Sequence, residues 1–270
     1  MAITATDVKK LRDMTGAGMM DAKRALTEAD GDFDAAIEIL RVAGQAKMAK
    51  RADRDAKNGL VAGAGKSVIR LAAETDFVAK NDEFIALADE IVKAVDAAGA
   101  ADLDAAKAVV LASGSTALEA VDALAAKIGE KLELAEVAVY GGDTVTYLHR
   151  RSQDLPPQVG VLVEYAGGTE EFVRGIAMQI AAMSPQWVTA DEIPADVLAQ
   201  EKHVAELKAA EEGKPEKIIP NIVAGALKKF AQDNCLVDQA SVSDDKKTVG
   251  QLLKDNGVTV SRFVRFNAGA

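Results

Sequence analysis

Apolar residues recur at intervals of three and four over the first 44 residues, which predicts three short helices. A polar capping residue or a glycine bounds each apolar run, as at helix ends in general. The apolar positions are Val8 and Leu11 in the first helix, Met19, Ala22 and Leu26 in the second, and Phe33, Ile37 and Leu40 in the third. Residues 1–44 are therefore predicted to form a three-helix module.

From residue 58 onward, short apolar runs that predict strands alternate with helical periods. Strands are predicted at 59–62, 67–72, 132–140, 144–148 and 159–165, and helices at 84–95, 102–112, 116–128 and 172–183. A strand pair followed by a helix thus occurs twice, and residues 82–85 (Asp-Glu-Phe-Ile) and 170–173 (Glu-Glu-Phe-Val) open the two helices alike. The repetition indicates either two related subdomains or a chance similarity.

Residues 195–231 carry the pattern of an antiparallel helical hairpin. Its turn falls at 212–215, where Gly213 and Pro215 interrupt the helical period. The apolar residues of the return arm form a narrow seam at Ile219, Ile222, Val223, Leu227 and Phe230. So narrow a seam favours an arm that projects from a domain over an element of the core. A helix at 248–254 and a strand at 259–266 complete the predicted elements.

These elements predict an α+β protein, and 270 residues suffice for two or three folded units. We predict a three-helix module at 1–44, a basic linker at 45–57, a first core subdomain at 58–140 and a second at 141–270. Each core subdomain would contain a small antiparallel sheet, and the helical hairpin 195–231 would be inserted in the second.

Composition and charge restrict the function classes. The chain has 32 Lys and Arg against 42 Asp and Glu, a net charge of −10, which argues against a protein that neutralises nucleic-acid phosphates. Its single cysteine, Cys235, cannot form an internal disulfide, and no run of 18 apolar residues predicts a membrane span. The first ten residues also lack the apolar core of a signal peptide. We therefore expect a cytoplasmic protein that binds neither nucleic acid nor membranes.

The linker at 45–57 is basic within this acidic chain. Five basic residues stand there against two acidic ones: Lys47, Lys50, Arg51, Arg54 and Lys57 against Asp53 and Asp55. One interpretation is a solvated helical linker. The other is a nucleic-acid patch, although the segment lacks the interleaved aromatic residues on which bases stack.

The sequence contains no recognisable active site. Residues 63–67 (Gly-Ala-Gly-Lys-Ser) end like a phosphate-binding loop, but Leu60 stands where the first glycine of that motif belongs, and the flanking strands predict a hairpin turn. The two histidines, His149 and His203, are far along the chain from Cys235 and from each other, and no cluster has metal-ligand spacing. We therefore expect a binding protein rather than an enzyme, without a cofactor or metal.

Two segments have the character of binding surfaces. Met19 and Met20 follow a glycine turn, and because adjacent helix positions cannot face the same core, one of them is expected to be exposed. The alternative is that both pack under the module. Thr75, Asp76, Phe77 and Val78 lie between a strand end and a helix start, where Phe77 is either exposed or part of the core.

At these residues the chain resembles the bacterial elongation factor Ts family, the guanine-nucleotide exchange factors of elongation factor Tu. Residues 11–26 (Leu-Arg-Asp-Met-Thr-Gly-Ala-Gly-Met-Met-Asp-Ala-Lys-Arg-Ala-Leu) and 74–80 (Glu-Thr-Asp-Phe-Val-Ala-Lys) resemble its two long motifs. Residues 127–130, 147–149 and 248–253 resemble shorter ones, so that the likeness spans essentially the whole chain.

The resemblance implies a translation factor that releases GDP from elongation factor Tu (a GTPase) without bond chemistry of its own; an RNA-binding or nucleotide-binding module is the alternative. It implies that residues 1–44 are ubiquitin-associated-like and dock on the GTPase domain. It also implies that Asp76 and Phe77 enter a pocket near the partner's magnesium and phosphate site, that the second subdomain grips a distal partner domain, and that a 2:2 assembly is an option. The implied partner-binding residues are Arg12, Met19, Met20, Lys23, Thr75, Asp76, Phe77, Val78, Ile128 and His149.

Overall fold

The structure of the protein is a computed structural model that describes residues 3–49 and 53–269. Its helices are α1 (Ala5–Thr15), α2 (Met19–Glu28), α3 (Phe33–Ala49), α4 (Asp76–Ala79), α5 (Asp82–Ala98), α6 (Leu103–Ala108), α7 (Ala117–Ile128), α8 (Glu170–Met183), α9 (Ala195–Glu211), α10 (Ile219–Asn234) and α11 (Val249–Asp255). Its strands are β1 (Asn58–Ala64), β2 (Ser67–Ala73), β3 (Leu132–Val139), β4 (Asp143–His149), β5 (Val159–Ala166) and β6 (Thr259–Asn267). The fold is α+β, as the sequence predicts.

The chain divides into two compact units. The first comprises the described residues up to Val139 together with Arg150–Gln158 and the residues from Phe266, and the second comprises Tyr140–His149 and Val159–Arg265. The predicted domain boundaries stay predictions, and the compact units differ from them because two later segments belong with the first unit.

The first unit begins with the three predicted helices. Thr4 caps α1 in a reciprocal capping box with Asp7, and Gly16 ends the helix in the left-handed conformation. The small core of these helices consists of Val8, Leu11, Ala22, Ala25, Leu26 and Ala36. The three helices fit a ubiquitin-associated-like module.

Two helix ends differ from the prediction. Helix α3 continues past Gly44 to Ala49, so that the basic linker starts as helix; Lys50 and Arg51 of that linker, and the side chain of Lys47, lie outside the described residues. The helix predicted at 102–112 is only α6, because Val109 adopts an extended conformation (φ −59°, ψ 138°). Val110 then pairs with Thr116 in an isolated bridge.

The first unit continues with an antiparallel sheet in the order β1-β2-β3, in which Leu60 pairs with Leu71 and Leu71 with Leu134. Helix α5 packs against β1 and β2 and buries Phe84, Ile91 and Val95. Helices α6 and α7 cover the same core before the chain returns as β3.

The second unit repeats this connectivity in a sheet of order β4-β5-β6. Helix α8 packs against β4 and β5 and buries Val173, Ile176 and Ile180, and helices α9 to α11 precede the third strand. The predicted helical hairpin is confirmed as α9 and α10, which are joined through a short 3-10 turn at Glu216–Ile218. Among the described residues, no helix combines the length and apolar character that a membrane crossing requires.

Candidate functional site

Helix α4 presents the side chain of Phe77 to solvent. The helix lies within the eight-residue connection between the end of β2 at Ala73 and the start of α5 at Asp82. Val78 and Ala79 point into the first unit and are buried, whereas Phe77 is 79% exposed. The exposed alternative for Phe77 is therefore the one that the structure shows, because the neighbouring Val78 takes the inward position.

The start of α4 is held by hydrogen bonds from a distant part of the chain. The backbone N–H of Thr75 donates to Glu130 Oε2 at 3.1 Å, and its hydroxyl donates to Glu130 Oε1 at 2.9 Å. In the reverse direction, the backbone N–H of Lys131 donates to Glu74 Oε1 at 2.6 Å. Asn58 Nδ2 adds a bond to the carbonyl oxygen of Glu74 at 2.8 Å. We call these four hydrogen bonds the clasp. They fix residues 74–75 to β1 and to the segment that leads into β3.

Thr75 also caps the helix that it precedes. Its hydroxyl oxygen accepts the backbone N–H of Val78 at 3.4 Å, in the usual N-cap arrangement. The ring of Phe77 is thus an apolar surface that faces water on a segment fixed by hydrogen bonds. Complete burial of such a ring is worth about 1.5–3 kcal/mol.

Asp76 is accessible beside Phe77. Its side chain is 48% exposed, and Lys80 Nζ lies 3.8 Å from Asp76 Oδ2. An exposed ion pair at this distance stabilises the chain little, since water screens both charges. The carboxylate can therefore exchange Lys80 for another partner at small cost.

Ile128 lies at the end of α7, two residues before the clasp residue Glu130. Its side chain is partly buried and packs against the core of the first unit. Lys127 Nζ reaches Glu83 Oε1 at 2.7 Å and so ties the end of α7 to the start of α5. The structure thus joins the Thr75–Val78 segment and the segment of Ile128 through Glu130, a residue to which the sequence analysis assigned no role.

The N-terminal helices expose both methionines that follow the glycine turn. Met20 is 75% and Met19 48% exposed. The sequence predicted that one of the two faces solvent, whereas the structure exposes both. Met19 is the first residue of α2, and the positions that pack inward are Ala22, Ala25 and Leu26. Arg12 and Lys23 are also exposed.

The glycine turn between α1 and α2 faces α7. Gly16 has a φ of +67°, and a Cβ there would come within 3.2 Å of Lys127 Cγ. A cavity of about 600 Å³ lies between this turn, α3 and α7, and Met14, Arg41 and Asp122 contribute to its wall. Burial, and then the nearby charge of Glu119, raise the pKa of Asp122.

His149 belongs to the second unit, where it is exposed at the end of β4. The Tyr147 hydroxyl lies 3.2 Å from His149 Nδ1, and the two rings stack with centroids 6.1 Å apart. The guanidinium of Arg174 lies 5.5 Å from the centroid of the Tyr147 ring. Tyr147 therefore orients His149 and leaves its Nε2 edge for other contacts.

The groups that could carry bond chemistry are the turn at 63–67, the Cys235 thiol and any cluster of metal-ligating side chains. The turn at 63–67 is the predicted hairpin turn, and the Asp96 carboxylate accepts both the Lys66 N–H and the Ser67 hydroxyl at 2.8 Å, where a phosphate loop would leave its N–H groups to the ligand. Burial raises the pKa of the Cys235 thiol to about 11, so that it is protonated at neutral pH. Across residues 3–49 and 53–269, no group of three or more His, Cys, Asp or Glu side chains is placed to hold a metal ion.

Comparison with known proteins agrees with the motifs. A sequence profile described as Elongation factor TS matches residues 74–270. The chain is 64% identical to Elongation factor Ts of Cutibacterium acnes over the full length of both chains. It is 56% identical to Elongation factor Ts of Saccharopolyspora erythraea and 54% to that of Mycobacterium marinum, in each case over 98% of both chains. By its motifs, its fold and these relatives, the chain belongs to the elongation factor Ts family.

Proposed function

We propose that this protein binds elongation factor Tu in its GDP-bound form and promotes the release of GDP, so that GTP can bind. Phe77 is the inserted group, and Asp76 accompanies it toward the magnesium and phosphate site of the partner. The observation that carries the proposal is the 79% exposure of Phe77 on a helix whose start is clasped by the fold.

The mechanism is a thermodynamic coupling. A factor that binds the nucleotide-free GTPase more tightly than the GDP-bound form must weaken GDP binding by the same ratio. Burial of Phe77 supplies about 1.5–3 kcal/mol, or roughly one to two decades of affinity. A larger loss of GDP affinity requires additional binding energy from a wide interface. The Phe77 wedge couples that energy to the nucleotide site.

Asp76 adds an electrostatic contribution. A carboxylate brought near the phosphates of GDP repels them, and the repulsion is strong where water is excluded. The loose 3.8 Å pair with Lys80 leaves the Asp76 charge available for this role. We expect Asp76→Asn to lower the GDP release rate less than removal of the Phe77 ring does.

The N-terminal helices and the second unit supply binding area in this proposal. Arg12, Met19, Met20 and Lys23 are all exposed, and flexible thioethers beside basic groups suit a partner surface. His149, oriented by Tyr147, is a further partner contact. The wide interface would also include the second unit's contact with a distal domain of the partner.

The basic linker does not favour the RNA-binding alternative. Of its described side chains, Arg54 pairs with Glu74 at 3.3 Å and Lys57 with Asp55 at 2.8 Å. The nucleotide-binding alternative loses its basis because Asp96 occupies the turn at 63–67.

The test of the proposal is stopped-flow release of a fluorescent GDP analogue from elongation factor Tu of the same organism. We expect Phe77→Ala to lower the stimulated release rate by about tenfold or more. Val110→Ala is the matched control, because Val110 is an apolar residue of the first unit that is 65% exposed. It should change the rate by less than about twofold. A Phe77→Ala rate equal to that of the unmodified protein contradicts the wedge.

A further inference from the structure

We propose that Glu130 is the positioning residue for Phe77: its carboxylate fixes Thr75, and Thr75 in turn fixes the helix that carries the exposed ring. This inference rests on the proposed function, in which Phe77 acts as the wedge. Glu130 itself follows α7 and is separated from Thr75 by 55 positions in the chain.

Both oxygens of the Glu130 carboxylate are engaged with Thr75. Oε2 accepts the backbone N–H at 3.1 Å, and the hydroxyl lies 2.9 Å from Oε1 and 3.1 Å from Oε2. Because the hydroxyl proton is donated to Glu130, the oxygen presents its lone pairs to the N–H of Val78. The carboxylate therefore sets the direction of the hydroxyl that caps α4.

Helix α4 needs such an anchor. It is four residues long, which is far below the length at which a helix is stable without tertiary support. Val78 and Ala79 hold one side of it in the core, while Phe77 gains nothing from burial in the free protein. Without the Glu130 bonds, α4 would be ordered in a smaller fraction of the free protein, and the ordering that is then needed on binding would reduce the apparent affinity.

The pairing between Glu74 and Lys131 restrains the segment in a second place, but it acts before the cap. The Lys131 N–H bonds the side chain of Glu74, and Arg54 Nη1 also reaches that carboxylate at 3.3 Å. These bonds fix the end of β2 and leave the orientation of the Thr75 hydroxyl to Glu130. The direction of α4 is thus assigned to Glu130.

The experiment measures GDP release from elongation factor Tu with the full-length Glu130→Ala protein. If removal of the carboxylate reduces the competent population of α4 to about a tenth, the second-order rate constant for stimulated release falls on the order of tenfold. Glu130→Gln, which keeps one oxygen acceptor, should lose less than Glu130→Ala. The rate at saturating factor should fall less than the rate at low concentration, because the partner's surface can order α4 after binding.

Asp96→Ala is the matched control. Like Glu130, Asp96 accepts one backbone N–H and one hydroxyl in the first unit, but it does so at the β1–β2 turn. The two substitutions should lower the thermal midpoint similarly, whereas only Glu130→Ala should slow GDP release. Equal slowing by both would assign the effect to general destabilisation and overturn the proposal. If Glu130→Ala does not fold, the comparison of Glu130→Gln with Asp96→Asn takes its place.

The decisive readout is the double variant. If Glu130 acts through Phe77, Glu130→Ala should hardly change the GDP release rate in a Phe77→Ala background. If Glu130→Ala slows release by the same factor with and without the Phe77 ring, the assignment is overturned. Normal release by Glu130→Ala together with slow release by Phe77→Ala rejects the positioning role and leaves the proposed function standing. Normal release by Phe77→Ala rejects both.

Discussion

The two units share one connectivity but use the same junction differently. In each, a strand hairpin leads into a helix packed on the sheet, and a third strand later joins the second strand of the hairpin. In the first unit, eight residues connect β2 to α5, and they form a capped helix with an exposed aromatic ring. In the second, three residues connect β5 to α8, and two of them are Gly167 and Gly168, both at positive φ.

The junction between the strand hairpin and the helix can be lengthened without disturbing the sheet. The connection lies outside the sheet ladder, so extra residues there leave the strand pairing intact. The first unit fills the connection with α4 and supports it from residues 130–131. The second closes it tightly, since a Cβ on Gly168 would collide with Val258 Cγ2. The same junction thus carries a short helix with an exposed ring in the first unit and is a tight glycine turn in the second.

Substitution at the third residue of α5 should destabilise the protein most, and the third residue of α8 provides the comparison. Phe84 is fully buried, and we expect Phe84→Ala to lower the free energy of unfolding by about 3–5 kcal/mol. Phe172 is only partly buried, so Phe172→Ala should cost about half as much. Urea unfolding followed by circular dichroism checks both values. Equal losses would mean that the two helices pack alike, contrary to the structure.

Next in size is the closed junction itself. Gly168→Ala should lower the free energy of unfolding by about 2–4 kcal/mol, because it combines the strain of a left-handed residue with the collision against Val258. Gly257→Ala is the control in the same unit, with a φ of +63° and open space around the added methyl. It should cost only about 1–2 kcal/mol. Chemical denaturation of both variants measures the two losses. Equal losses would show that the collision with Val258 does not contribute.

The helix caps should differ less. Asn81 Oδ1 accepts the N–H groups of Glu83 and Phe84 at the start of α5, whereas Thr169 Oγ1 accepts only that of Phe172 at the start of α8. Asn81→Ala and Thr169→Ala should each cost about 1 kcal/mol, with the larger loss at Asn81. Thermal unfolding of the two variants measures the difference, and a larger loss at Thr169 would contradict the assignment of the bonds.

Phe77 should contribute least to the stability of the protein. Because the ring is in water, Phe77→Ala should change the free energy of unfolding by no more than about 0.5 kcal/mol. Under the proposed function, the same substitution should lower the GDP release rate about tenfold or more, although it leaves stability almost unchanged. A substantial loss of stability in Phe77→Ala would show that the ring packs against the fold.

Elements with a strong period could be predicted from the sequence, and those without one could not. Helices α5 and α8 have apolar residues at regular helical spacing, and their positions are confirmed. Helix α4 has only four residues, too few to show a period, and the sequence predicted no helix between the end of the strand and the start of α5. The predicted end of α3 was wrong. A glycine after an apolar run usually ends a helix, but Gly44 lies inside α3.

The candidate site was predictable only in part. The motif at 74–80 marks the segment, but whether Phe77 or its neighbour faces inward depends on the core that receives Val78. The proposed role of Glu130 depends on a contact across 55 positions, for which no local pattern exists. The only signal was that Glu130 closes one of the shorter motifs shared with the family.

The exposure of Phe77 also bears on protein engineering. A laboratory selection for solubility, applied to the chain alone, would favour replacement of this ring by a polar side chain, and a selection for heat resistance would tolerate it. Such a procedure does not measure binding to a partner. If the proposed function holds, stabilised variants should therefore be screened with elongation factor Tu present, or position 77 should be held constant throughout.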